Sequence, residues 1–198
     1  IRMFQKWALD DDVAPGTGTV RTGPVANLFL KYSDTTTGKN LGYANSAYDA
    51  KLDLDTYSLD FWINIRQSQR NIDQTIISRT SSDGAKANYD IKIVGSGANL
   101  NKIQFRQYND LTSSWDTIYS TSALSNDSWY HVVATYDGSK IRLYMNALLN
   151  SEATSTSTHS GTETLQIGYD VGSDMRIYRG QLDNLKIWGK ALSSAEIL

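Results

Sequence analysis

The chain has 198 residues, 40% hydrophobic and 20% charged, a balance that excludes a disordered polymer and suffices for one buried core. Lys and Arg number 19 against 21 Asp and Glu, a formal charge of -2 with no long run of either sign, so neither nucleic acid nor an anionic membrane is an expected partner. The absence of cysteine excludes disulfide scaffolds, thiol nucleophiles and iron–sulfur clusters.

The chain starts at Ile1 without a basic-then-apolar leader, and no stretch approaches the roughly 20 apolar residues of a membrane helix. It therefore reads as an excised or processed piece of a longer protein, with no membrane insertion. Met3, Phe4, Trp7 and Leu9 open an N-terminal arm, and Asp10 to Pro24 holds both prolines among turn-forming residues. Residues 1–26 are assigned to this arm and linker, and residues 27–198 to a single domain.

Period-2 alternation dominates the domain. Leu59, Phe61, Ile63 and Ile65 share one face of residues 58–66, and Ser58, Asp60, Trp62, Asn64 and Arg66 share the other. Tyr89, Ile91 and Ile93 repeat the pattern, as do Ile103 and Phe105, then Ile141, Leu143 and Met145, then Leu165, Ile167 and Tyr169. Further runs at 27–33, 41–46, 74–79, 115–119, 129–136, 175–179 and 182–188 bring the number to about a dozen short strands, each with one apolar side. Two packed antiparallel sheets follow. The only helix signal is at the C-terminus, where Ser193 and Glu196 form a capping box ahead of Ile197 and Leu198. The Ser/Thr-rich stretch 151–164 reads as a mobile loop.

Ordered motifs fill the second half: Trp129 to Gly138 (WYHVVATYDG), Ile141 to Asn146 (IRLYMN), Leu165 to Gly168 (LQIG), Gly180 to Trp188 (GQLDNLKIW) and Ala191 to Ile197 (ALSSAEI). With Leu59 to Ile63 (LDFWI) and Thr75 to Ser78 (TIIS) upstream, this series resembles the laminin-G-like domains of the concanavalin A-like lectin/glucanase superfamily over about residues 40–198. The resemblance implies a jelly-roll sandwich of two curved antiparallel sheets with one short C-terminal helical turn. It also implies recognition of a glycan or a protein receptor, as in adhesion or virion attachment, on an extracellular, cell-surface or virion-surface protein. Where the family usually has an Asp-Gly or Asn-Gly turn this chain has Asn146-Ala147, so a different or longer turn is expected there.

Chemistry is sparse. Retaining glucanases need two carboxylates about 5 Å apart on one face, yet none of the three glutamates, Glu152, Glu163 and Glu196, has an acid two residues away. Asp53 and Asp55 share a side of an extended segment but read as a solvated turn, and no catalytic residue is assigned. His131 reads as a histidine bonded between strands and His159 as part of the Ser/Thr-rich loop. Asp10 to Asp12 and Tyr169 to Asp174 lack the spacing of a calcium loop.

The superfamily often holds one structural Ca²⁺, and the resemblance maps its aspartate onto Asp183. Simple alternation turns Asp183 inward with Leu185 and Ile187, where either Ca²⁺ or backbone N–H groups would satisfy it. For glycan binding, an exposed aromatic beside polar side chains is required, and Tyr108, Asn109, Trp115 and Tyr119 offer that set. Their alternative reading is a hairpin whose aromatics cover the sheet. Trp62, Trp129 and Trp188 occupy family framework positions and are assigned to packing. The triplet Asn126-Asp127-Ser128 matches a glycosylation acceptor by composition alone. The rival function is structural: an assembly domain of a virus particle, fibre tip or surface layer, with the arm docking on a neighbouring copy as a homo-oligomer.

Overall fold

A computed structural model of the chain describes residues 26–30, 44–46, 48–65, 72–81, 87–156, 161–169 and 178–197. The N-terminal arm through Val25, His159 and residues 170–177 lie outside these residues, and with them most of the strand expected at 175–179, whose last two residues are not in a strand.

The alternating runs become strands β1 (Ala26–Leu30), β2 (Ala44–Asn45), β3 (Tyr57–Ile65), β4 (Gln74–Thr80), β5 (Ala87–Ile93), β6 (Ile103–Asn109), β7 (Ser114–Tyr119), β8 (Trp129–Tyr136), β9 (Lys140–Met145), β10 (Leu148–Thr154), β11 (Gln166–Ile167) and β12 (Gly180–Trp188). They form two six-stranded antiparallel sheets, ordered β1-β12-β3-β8-β9-β10 and β2-β11-β4-β5-β6-β7. Half of the neighbouring pairs in the sheets are remote in sequence, as in a jelly roll, because the late strands β11 and β12 return to pair beside early ones.

Between the sheets lies one core, in which Leu59, Phe61, Ile63, Ile91, Phe105, Val132, Leu143 and Ile187 are almost fully buried. These are the inward positions of the alternation, so the period-2 pattern is sufficient to place them. Helix is confined, among the described residues, to 3-10 turns at Ala50–Leu52 and Gly97–Asn99 and a single turn at 194–196. That last turn uses the expected capping box, with the Ser193 amide and hydroxyl each donating to Glu196 Oε2 at 2.9 Å.

Two local expectations are corrected. The β9–β10 turn is a two-residue turn, in which Asn146 (φ 50°) and Ala147 (φ 66°) both adopt the left-handed conformation. Asn146 tolerates this and is tied down on both sides: its amide donates to the His131 carbonyl at 2.8 Å, and its side-chain oxygen accepts from the His131 amide at 3.0 Å. That anchoring stands in for the missing glycine. Ser151 to Thr154, read from composition as loop, pair with Lys140 to Leu143 as part of strand β10. The edge position makes a polar, Ser/Thr-rich strand acceptable.

At the β8–β9 turn the Asp137 carboxylate accepts from the Ser139 and Lys140 amides at 2.9 and 2.8 Å and pairs with Arg142 at 2.5 Å. Partial burial opposes its charge, but the Arg142 hydrogen bond and the turn donors outweigh that and hold the carboxyl well below the usual carboxylate range. A depressed carboxyl pKa contributes stability that is present above the unfolded value near 4 and is lost as pH falls. Asp137→Asn should therefore melt below the parent at pH 7, and the gap should narrow as the pH is taken from about 5 to 3. A gap that stays constant across that range would refute the assignment.

Candidate functional site

The outward face of the first sheet is divided between a covered half and an open half. Over the covered half, the C-terminal segment packs Leu192 and Ile197 on Val133, Tyr144 and Trp188. The Ser58 hydroxyl fastens this segment by donating to the Lys190 carbonyl and accepting from the Leu192 amide, each at 2.8 Å. Trp188 thus serves packing, as expected.

The open half carries two indoles. β3 is a central strand, hydrogen-bonded on both sides, and eight of its nine residues are buried; the exception is Trp62, 39% exposed. Trp129, at the start of β8, is 45% exposed. Both point outward, because Trp62 pairs across with His131 and Trp129 lies one outward position before that histidine. With Asp183 and Asn184 of β12 they line an open pocket of about 290 Å³, near the lower bound for small-molecule sites. The assignment of Trp62 and Trp129 to packing is therefore corrected.

Trp62 is held from behind and from the side. Its ring stacks on His131 with centroids 5.0 Å apart and planes at 20°. His131 Nε2 is bonded to Asp60 Oδ1 at 2.8 Å, and Lys186 Nζ lies 3.9 Å from the other Asp60 oxygen. In this row His131 and Asp60 are buried and Lys186 is half-buried, and the stack fixes the indole's orientation without occupying its outer face. The reading of His131 as a histidine bonded between strands matches its bond to Asp60 on β3.

A β-bulge brings Asp183 and Asn184 to the same pocket. Register runs Asp183↔Trp62 and then Lys186↔Asp60, so two residues of β12 oppose the single residue Phe61. Asn184 takes up the extra residue in the left-handed conformation at φ 53°. Leu182, Leu185 and Ile187 are the inward residues, each at most 2% exposed, and Asp183 faces outward. The expected inward orientation of Asp183 is thus overturned, because alternation read back from Leu185 fails at the bulge. A calcium ion wants about six to eight oxygen ligands. Among the described residues Asp183 is the one carboxylate lining the pocket, and no three His, Asp or Glu side chains converge on a metal position.

The other proposed set sits on the second sheet. Tyr108, Trp115 and Tyr119 do share one outer face there, with Tyr108 paired to Trp115 across the β6–β7 hairpin. The hairpin engages these side chains in contacts of its own. The Arg106 guanidinium, itself paired with Asp90, lies 4.0 Å over the Trp115 ring, and Tyr108 meets Trp115 edge-on at 5.5 Å. Tyr119 accepts from Gln104 Nε2 at 2.7 Å. Asn109 is buried and shapes the turn, its oxygen accepting from the Leu111 amide at 3.0 Å while its amide donates to Asp116. The arrangement matches the alternative of a hairpin whose aromatics cover the sheet.

Asp53 is bound rather than freely solvated: it accepts from Tyr48 at 2.5 Å and pairs with the buried Arg79 at 2.8 Å. Glu152 is engaged by Lys140 and Arg142, and Glu196 by Lys190. None of these acids lines the tryptophan pocket.

Residues 38–198 match the family model for laminin-G domains, described as the concanavalin A-like lectin/glucanases superfamily. The chain belongs to this family. No curated protein matches this laminin-G-like chain at a significant level. Among solved structures it is similar to the CBM40 of Ruminococcus gnavus IT-sialidase bound to α2,3-sialyllactose. The identity is 13% and the TM-score 0.63, over 88% of this chain and 97% of that one. It is also similar to the botulinum neurotoxin serotype G binding domain (14%, TM-score 0.60) over 87% of this chain and 41% of that one, spanning about two fifths of the neurotoxin domain. A third similar structure is a SAP-like pentraxin from Limulus polyphemus, at 15% identity and a TM-score of 0.58, covering 86% and 78% of the two chains. At these identities the likeness establishes the jelly-roll fold that the laminin-G-like domain shares with them.

Proposed function

We propose that this laminin-G-like domain is a non-catalytic recognition module that binds a glycan on the Trp62–Trp129 face, on a protein displayed outside the cell or on a particle surface. One observation carries the reading: two indoles stand open to solvent around a pocket, on the outward sheet face beside the half that the C-terminal segment covers. An exposed indole stacks on the apolar side of a pyranose, and Asp183 and Asn184 provide acceptors and an amide for its hydroxyls. The sialyllactose-bound carbohydrate-binding module among the similar structures supports the same use of the fold. The single carboxylate that the described residues bring to the pocket supports binding without hydrolysis, since glycoside cleavage uses a pair. A protein receptor in place of a glycan is the outcome to expect if no sugar binds but the same tryptophans are needed for cell attachment.

A glycan array probed with the domain and with Trp62→Ala and Trp129→Ala tests the reading. Each substitution should weaken the positive spots by about tenfold, as loss of a stacking aromatic predicts, while each variant still melts cooperatively because neither indole belongs to the core between the sheets. Binding that survives both substitutions would place the site elsewhere.

A further inference from the structure

The charge of the pocket selects among glycans. Asp183 stands directly across from Trp62, where outward side chains on paired strands lie about 5 Å apart at Cβ. It has no hydrogen bond or ion pair with any described residue, and the neighbouring basic side chains among those residues are engaged elsewhere. Lys186 faces Asp60, and His131 is bonded to the same carboxylate. The pocket therefore presents one uncompensated negative charge beside two indole faces, which themselves attract cations through the negative potential of the ring.

Resting on the glycan reading above, we infer that the Trp62–Trp129 pocket prefers amino sugars with a free ammonium group and disfavours acidic sugars. An ammonium beside Asp183 gains both a charge-assisted hydrogen bond and a cation–π contact in a site partly shielded from water. A sialic or uronic acid carboxylate at the same place meets a like charge, so the repulsion itself supplies selectivity. Asn184, turned toward the rim by its left-handed backbone, is left to bond the neutral hydroxyls.

Calorimetric titration at pH 6 with a β1,4-linked glucosamine tetrasaccharide, its fully N-acetylated counterpart and 3′-sialyllactose tests the inference. The amino tetrasaccharide should bind about tenfold more tightly than the acetylated one, and sialyllactose most weakly. Asp183→Asn should weaken the amino tetrasaccharide much more than the acetylated one and so remove the preference, and Trp62→Ala should weaken both. The carboxylate has no structural partner, so the asparagine variant should melt like the parent. Sialyllactose binding as tightly as the amino sugar, or a preference that survives Asp183→Asn, would overturn the inference while leaving the glycan site intact so long as Trp62→Ala still weakens binding. No heat with any of the three sugars would overturn the inference, and no positive on a full array would overturn the glycan reading as well.

Discussion

Gly180→Ala is expected to lower the melting temperature by about 6–12 °C, roughly 3 kcal/mol for a domain of this size. A Cβ at this position would lie 2.3 Å from the Asn64 carbonyl oxygen and 2.4 Å from the Tyr178 hydroxyl. The first is backbone of the central strand β3, and the second belongs to a fully buried tyrosine whose hydroxyl donates to that same carbonyl at 3.0 Å. Neither can move aside without spreading β12 from β3, where Gly180 pairs with Ile65. Because β12 carries Asp183 and Asn184 to the pocket, surviving folded protein should also bind more weakly. Thermal melts decide the matter, and a variant within about 2 °C of the parent would show that the strands approach less closely than described.

Arg79→Met should cost about 2–4 kcal/mol. Arg79 is an inward residue of β4 and 1% exposed, an unusual place for a guanidinium. Its donors reach the Leu52 carbonyl at 2.5 Å, Asp53 at 2.8 Å and the Glu163 carbonyl at 3.2 Å, so one side chain ties two loops to the sheet. Burial works against the Asp53 charge, yet the hydrogen bonds from Tyr48 and Arg79 hold its carboxyl below the ordinary range. Methionine keeps the stem volume but strands two carbonyls and the carboxylate, and breaking a buried pair on one side usually costs about 3–5 kcal/mol. The partial exposure of Asp53 reduces that figure. Urea unfolding measures the difference directly, and a loss under about 1 kcal/mol would mean that these bonds do not organise the loops.

The fold was legible because alternation depends only on which side chains must leave water, and Leu59, Phe61, Ile63 and Ile65 fall on the buried face as the pattern requires. The same alternation placed Trp62 on the polar face with Asp60 and Asn64, which was the signal for the site. Assigning that tryptophan to the framework on family position overrode the physical pattern, although a large aromatic on a polar strand face is what an open binding platform looks like. The bulge at Asn184 carried no local signal strong enough to break the alternation, since asparagine inside a strand is also compatible with regular pairing. One inserted residue was enough to reverse the side of Asp183, and with it the reading from a structural calcium ligand to a pocket carboxylate. The environment of Trp115 was hidden for a different reason: Arg106 is two residues before Tyr108 on the same strand face, and its contact with the indole depends on the cross-strand register of β6 and β7.

The most direct test of the account follows the five indole N–H signals in a two-dimensional NMR spectrum while adding the tightest glycan from the array. The account predicts that the Trp62 and Trp129 signals, assigned by single substitution, shift in proportion to occupancy while those of Trp115 and Trp188 hold still. Shifts at Trp115 with Trp62 and Trp129 unmoved would contradict it, and would return the site to the β6–β7 hairpin.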